Sequence, residues 1–76
     1  MEYDETDLIY RAISAHLRVG HRDQPSDSDS TVEEIEGRVY VVLRNVGGIL
    51  NVYRLTSQGK LRALRRWPAE FKVESA

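Results

Sequence analysis

Residues 38–56 read RVYVVLRNVGGILNVYRLT, and they carry the strongest β-sheet signal of the chain. Both flanks of Gly47 and Gly48 are dense in Val, Ile, Leu and Tyr, which are typical of β-strands. Two successive glycines accept the positive φ angles that tight hairpin turns require. We therefore predict an antiparallel hairpin that joins a strand over 38–45 to a strand over 49–56.

The hairpin is predicted to have two different faces, because side chains alternate across a strand. A turn of residues 47–48 and a turn of residues 45–48 give the same alternation, so both place the same residues together. The predicted core face carries Val39, Val41, Leu43, Leu50 and Val52, with Arg54 and Thr56 at its end. The other face mixes apolar, aromatic and arginine side chains, a composition typical of binding surfaces. The residues of this predicted binding face are Arg38, Tyr40, Val42, Arg44, Ile49, Asn51, Tyr53 and Leu55.

The chain continues through a turn at 57–59 into residues 60–66, which read KLRALRR. Leu, Arg, Ala and Lys favour a helix here. The tight turn just before, and basic residues at what would be the helix start, favour a strand instead. We predict a third strand, so that a three-stranded β-meander spans 32–67. Its first strand begins either at Arg38 or near Val32, with Gly37 as a kink.

An amphipathic helix is predicted for residues 5–19, because apolar residues including Leu8, Ala12 and Leu17 recur on one side of it. Asp4 or Thr6 can cap its first turn, and Gly20 can end it. Residues 20–31 are polar and acidic and are predicted to be a flexible linker. The predicted fold is one α+β domain over 1–76, with the helix on the meander in two layers and a tail at 68–76.

Charge is segregated along the chain. Residues 37–67 contain seven basic residues and no acidic one, whereas ten acidic residues and three arginines precede them. The formal net charge is only −1, so any nucleic-acid binding has to depend on local charge. We expect a small non-enzymatic interaction module that binds a protein partner or a second copy of itself, in the second case as a homodimer.

Nucleic-acid binding is the alternative, with Tyr40 and Tyr53 stacking on bases. The phosphate contacts would come from the basic residues of the meander beyond Arg38 and Arg44, which are Arg54, Lys60, Arg62, Arg65 and Arg66.

One helix covers one face of a sheet, so the predicted binding face needs a cover or stays open. A C-terminal tail with Trp67, Phe71 and Val73 can fold over it. A second copy of the chain or a partner molecule can also occupy it.

Several classes of site are not expected. The chain has no cysteine and only two histidines, His16 and His21, and it contains no catalytic motif. A calcium loop begun at Asp27 fails, because Val32 and Arg38 stand where the loop needs glycine and glutamate. We expect no metal, no cofactor and no small-molecule substrate. The absence of a signal-like or membrane-spanning apolar run leads us to expect a soluble, cytoplasmic protein.

Overall fold

The computed structural model describes residues 3–20, 22 and 24–66, and in them one helix packs on a four-stranded antiparallel sheet. The predicted α+β two-layer fold is confirmed, with one strand more than expected. The predicted tail at 68–76, Trp67 and His21 lie outside the described residues. In chain order the elements are α1 (Glu5–Arg18), β1 (Ser26–Ile35), β2 (Arg38–Asn45), β3 (Gly48–Leu55) and β4 (Leu61–Ala63), and the strands are adjacent in that order.

Helix α1 begins and ends as its sequence indicates. The carboxylate of Asp4 accepts hydrogen bonds from the backbone N–H groups of Thr6 and Asp7 at 2.9 and 3.2 Å, so Asp4 is the cap. The chain leaves the helix through Gly20, whose φ is 92°. Leu8, Ala12 and His16 form the buried stripe of α1, whereas Leu17, predicted on the same side, is 41% exposed.

The additional strand is β1, and it corrects the prediction of a flexible linker over 20–31. Residues 26–31 belong to β1, although Ser and Asp have low strand propensity. The part of β1 over 31–35 pairs regularly with β2, while the register shifts between Ser26 and Thr31. The Ser30 hydroxyl accepts from the Arg44 backbone N–H at 3.1 Å and donates to the Ser26 carbonyl at 2.7 Å. Where the register shifts, the Ser30 side chain makes hydrogen bonds in place of the regular backbone pairing. These bonds hold residues of low strand propensity in β1.

A two-residue turn joins β1 to β2, since Ile35 pairs with Arg38. Glu36 and Gly37 both have positive φ, at 53° and 78°, as a primed hairpin turn requires. Gly37 therefore belongs to a tight turn and not to a kink within a longer strand.

The β2–β3 hairpin contains a β-bulge that the sequence analysis did not include. Arg44 pairs with Ile49 next to the turn, but Leu43 pairs with Asn51, so Leu50 is an extra residue on β3. One extra residue reverses the alternation of all that follows on that strand. The predicted faces are therefore correct for β2 and reversed for β3 from Asn51 onward.

The sheet buries side chains on both faces. On the helix side the buried cluster is Leu8, Ala12, Val41, Leu43 and Tyr53. On the other face Tyr40, Val42 and Val52 form a second buried cluster, with Ile35, Ile49 and Leu64 packed against it. Residues on β2 are thus enclosed from both sides, which fits their continuous apolar sequence.

Candidate functional site

The sheet face away from α1, called the second face below, is the surface closest to the predicted binding face. Because of the bulge, Asn51, Tyr53 and Leu55 lie on the helix side, and their assignment to the binding face is wrong. Val52 and Arg54 take their place. The members of the second face from β2 and β3 are Arg38, Tyr40, Val42, Arg44, Ile49, Val52 and Arg54.

The apolar centre of the second face is closed to solvent. Val42 and Val52 have no exposed surface, and Tyr40 exposes 7% of its own. Tyr53 exposes 4% and lies on the helix side. Burial raises the pKa of Tyr53, and a hydrogen bond with Asn51 at 3.5 Å offsets part of that rise. Neither tyrosine presents a ring on which a base can stack.

Four side chains of the second face form one row across all four strands. Glu33 pairs with Tyr40, Tyr40 pairs with Arg54, and Arg54 pairs with Arg62. The row begins with a carboxylate at the β1 edge and ends with two adjacent guanidinium groups at the β4 edge. Directly opposite residues have Cβ atoms about 5 Å apart, so Arg54 and Arg62 repel each other.

The arginines of the second face differ in the hydrogen bonds and ion pairs that their guanidinium groups make. The guanidinium of Arg44 donates to the Thr31 hydroxyl at 2.6 Å, and Thr31 donates to the Glu33 carboxylate at 2.9 Å. Within residues 3–20, 22 and 24–66 the only salt bridge joins Arg11 to Asp7, at 3.8 Å. Arg38, Arg54 and Arg62 therefore make no ion pair with the described carboxylates.

A shallow cleft of about 420 Å³ adjoins this basic cluster at the end of the sheet where β2 starts and β3 finishes. Arg38 and Arg54 bring positive charge to it, and Thr56 and Ser57 bring hydroxyl groups. Its lining comprises Tyr3, Glu34, Gly37, Arg38, Val39, Arg54, Leu55, Thr56 and Ser57. The cleft combines anion-binding groups with a single carboxylate.

The remaining predicted phosphate contacts surround β4. Lys60 precedes the strand, and Arg65 and Arg66 follow it; all three are exposed. The strand predicted over 60–66 is confirmed for Leu61–Ala63 only. Among the described strands β4 is an edge strand, and its basic flanks lie beside backbone donors and acceptors that pair with no other described strand.

The position of Glu33 at the acidic end of the row was not recognised in the sequence. Glycine at position 37, just beyond residues 31–35 with their strand-like alternation, is the turn signal that would have revealed it. A strand from near Val32 is among the predictions, but Gly37 is treated there as a kink, so the turn that folds Glu33 back opposite Tyr40 is missed.

Comparisons with protein-family models, with curated proteins and with solved structures give no match for this chain. The described residues include no group of three or more histidines and carboxylates placed to hold a metal ion. No helix within the described ranges has both the length and the apolar character needed to cross a bilayer.

Proposed function

We propose that the chain is a non-enzymatic interaction module that binds an acidic, extended protein segment through Arg38, Arg54 and Arg62 of the second face. The observation that carries the proposal is the direct pairing of Arg54 with Arg62 on adjacent strands, without an ion pair to the described carboxylates. We further propose a cytoplasmic location, on the sequence grounds given above.

An anionic partner would relieve the repulsion between these two arginines. Guanidinium groups form two parallel hydrogen bonds with a carboxylate, and such charge-assisted bonds are stronger than neutral ones. The apolar residues Tyr40, Val42 and Val52 are buried and offer no anchor to a partner. Binding would therefore depend on charge and weaken as salt is added.

Nucleic acid is the second candidate, favoured by the exposed basic residues Lys60, Arg65 and Arg66 around β4. Two observations weigh against it. The rings of Tyr40 and Tyr53 are buried, so only phosphate contacts remain. The acidic strand β1 lies across the same sheet, with Asp27, Asp29 and Glu34 exposed, and would repel a long polyanion.

The test is a titration followed by fluorescence anisotropy, with a labelled peptide of alternating glutamate and serine as the probe and short mixed-sequence duplex DNA as the competitor. Arg54→Gln and Arg62→Gln should each weaken peptide binding about threefold to tenfold, which corresponds to roughly 0.7–1.4 kcal/mol. Arg18→Gln is the matched control, because Arg18 is an exposed arginine on α1.

An equal loss of peptide affinity in all three variants would mean that net charge alone controls binding, and it would overturn the proposal. Tighter binding of DNA than of peptide, with affinity that falls linearly with salt on logarithmic axes, would establish the second candidate instead.

A further inference from the structure

We infer that the acidic segment bound by this module is strand β1 of a second copy, which adds to the β4 edge in antiparallel orientation with its Glu33 opposite Arg62. This inference rests on the proposed function and names its partner. The copies would join head to tail, with β1 of each copy against β4 of the next.

The first argument is the charge of the two sheet edges. Strands β1 and β4 are the outer strands of the sheet formed by residues 3–20, 22 and 24–66. Strand β1 contains four acidic residues and no basic one, whereas residues 60–66 contain four basic residues and no acidic one. The two edges therefore carry opposite charges. Pairing of either edge with the same edge of another copy would bring like charges together.

Charge thus selects among the possible pairings of edges. Two β1 strands side by side would oppose carboxylates, and two β4 strands would oppose guanidinium and ammonium groups, both of which are unfavourable. Only a β1–β4 junction brings opposite charges together. Such a heterologous contact does not close on itself in a two-fold dimer.

The second argument is register. With Glu33 of one copy opposite Arg62 of the other, antiparallel pairing places residues 31–35 against residues 60–64. Residues 31–35 are the regular part of β1, so the irregular part over 26–30 lies outside the junction. Val32 then faces Ala63 on the helix side, an apolar pair next to the charged one.

The third argument is that this junction continues the row of the second face. Within one copy the row reads Glu33, Tyr40, Arg54 and Arg62. Addition of the next copy places a carboxylate beside the outer arginine, so the repelling pair gains an anion. The four strands of each copy alternate in direction, and an antiparallel junction preserves that alternation without inverting the copy.

The edges are accessible for such a contact. Arg62 and Ala63 of β4 are exposed, as is Glu34 in the regular part of β1, and Glu33 is half-buried. An exposed strand edge is a template for pairing with another chain, and charge is one of the features that decide which edges can meet. Here the charges oppose like edges and favour unlike ones.

The experiment is sedimentation velocity of the full chain over a dilution series at low salt. The wild-type protein should show a mean mass that keeps rising with concentration beyond that of a dimer, and salt should reverse the rise. Arg62→Glu and Glu33→Lys should each remain monomeric, because one junction partner then opposes a like charge. An equimolar mixture of the two variants should associate again, since it restores a native Glu33–Arg62 junction.

Arg18→Glu and Glu5→Lys are the controls, because they make the same charge changes at exposed positions on α1 and should associate like the wild type. Circular dichroism of each variant verifies that it is folded. A wild-type protein that stays monomeric throughout, a mass that stops at the dimer, or association that survives both edge variants overturns the inference. If the wild type is monomeric but binds the glutamate–serine peptide, the inference fails and the proposed function stands.

Discussion

Arg54 and Arg62 lie directly opposite each other on β3 and β4, on the sheet face away from the helix. Opposed like charges destabilise a strand pair, and β4 is only three residues long. A fold that retains such a pair gives up stability at the β4 edge. The proposed binding role of this edge rests on this pair, because an anionic partner would remove the repulsion.

Replacing one arginine of the pair should stabilise the monomer. Arg62→Glu converts repulsion into attraction, and we expect the free energy of unfolding to rise by about 0.5–1 kcal/mol at low salt. Urea unfolding of dilute protein measures this change, which should shrink as salt is added. Arg65→Glu is the control, because Arg65 follows β4 and has no paired residue on β3. Equal stabilisation by both variants would mean that overall charge, and not the pair, is responsible.

The bulge at Leu50 should be removable. Deletion of Leu50 leaves Ile49 opposite Arg44 and Asn51 opposite Leu43, so every other side chain keeps its face. We expect a folded protein that loses less than about 2 kcal/mol of stability. Hydrogen exchange of the Val41 and Val42 amides is the measurement, and their protection should persist.

Insertion of one residue elsewhere in β3 should unfold the protein, in contrast to the deletion of Leu50. An alanine inserted after Val52 would move Tyr53 and Arg54 to the wrong faces and bury a guanidinium under α1. We expect loss of the cooperative unfolding transition. If the insertion is tolerated as well as the Leu50 deletion, the register described here is incorrect.

The second face should behave as a true core in its centre. Val42 and Val41 are both fully buried, on opposite faces of β2. Truncation of either to alanine should cost about 2 kcal/mol, since each loses two buried carbons and leaves a small cavity. Val46→Ala is the control, because Val46 is fully exposed in the turn. A Val42→Ala cost close to that of Val46→Ala would show that the second face is open.

Alkaline pH should destabilise the fold through Tyr53. Burial raises its pKa in the folded protein, so above the ordinary phenol value of about 10 the unfolded chain loses a proton that the folded chain keeps. The unfolded state then binds fewer protons, and stability falls as pH rises. Tyr53→Phe should show a shallower decline in urea midpoint with pH. The raised pKa of Tyr10, caused by its hydrogen bond to Asp27 and by the charge of that carboxylate, is present in both proteins and cancels. Parallel pH profiles would contradict the assignment.

The sequence was sufficient to predict the helix and strands that depend on neighbouring residues. The apolar stripe of α1, its cap at Asp4 and the strand character of 38–45 and 49–55 all follow from neighbouring residues. The segregation of basic from acidic residues was also evident, because it is a property of the sequence itself.

The arrangement of the candidate site depended on tertiary structure. One unpaired residue, Leu50, decides on which face Arg54 and Tyr53 lie, and a bulge depends on pairing with the neighbouring strand. In the same way, residues 26–30 are part of a strand because the Ser30 hydroxyl accepts a hydrogen bond from the backbone N–H of Arg44 on β2. The order of residue types along the chain was enough to show which of them alternate and where charge concentrates. Only pairing between strands decided that Glu33, Tyr40, Arg54 and Arg62 form one row, because register is set by contacts between segments that are distant in the chain.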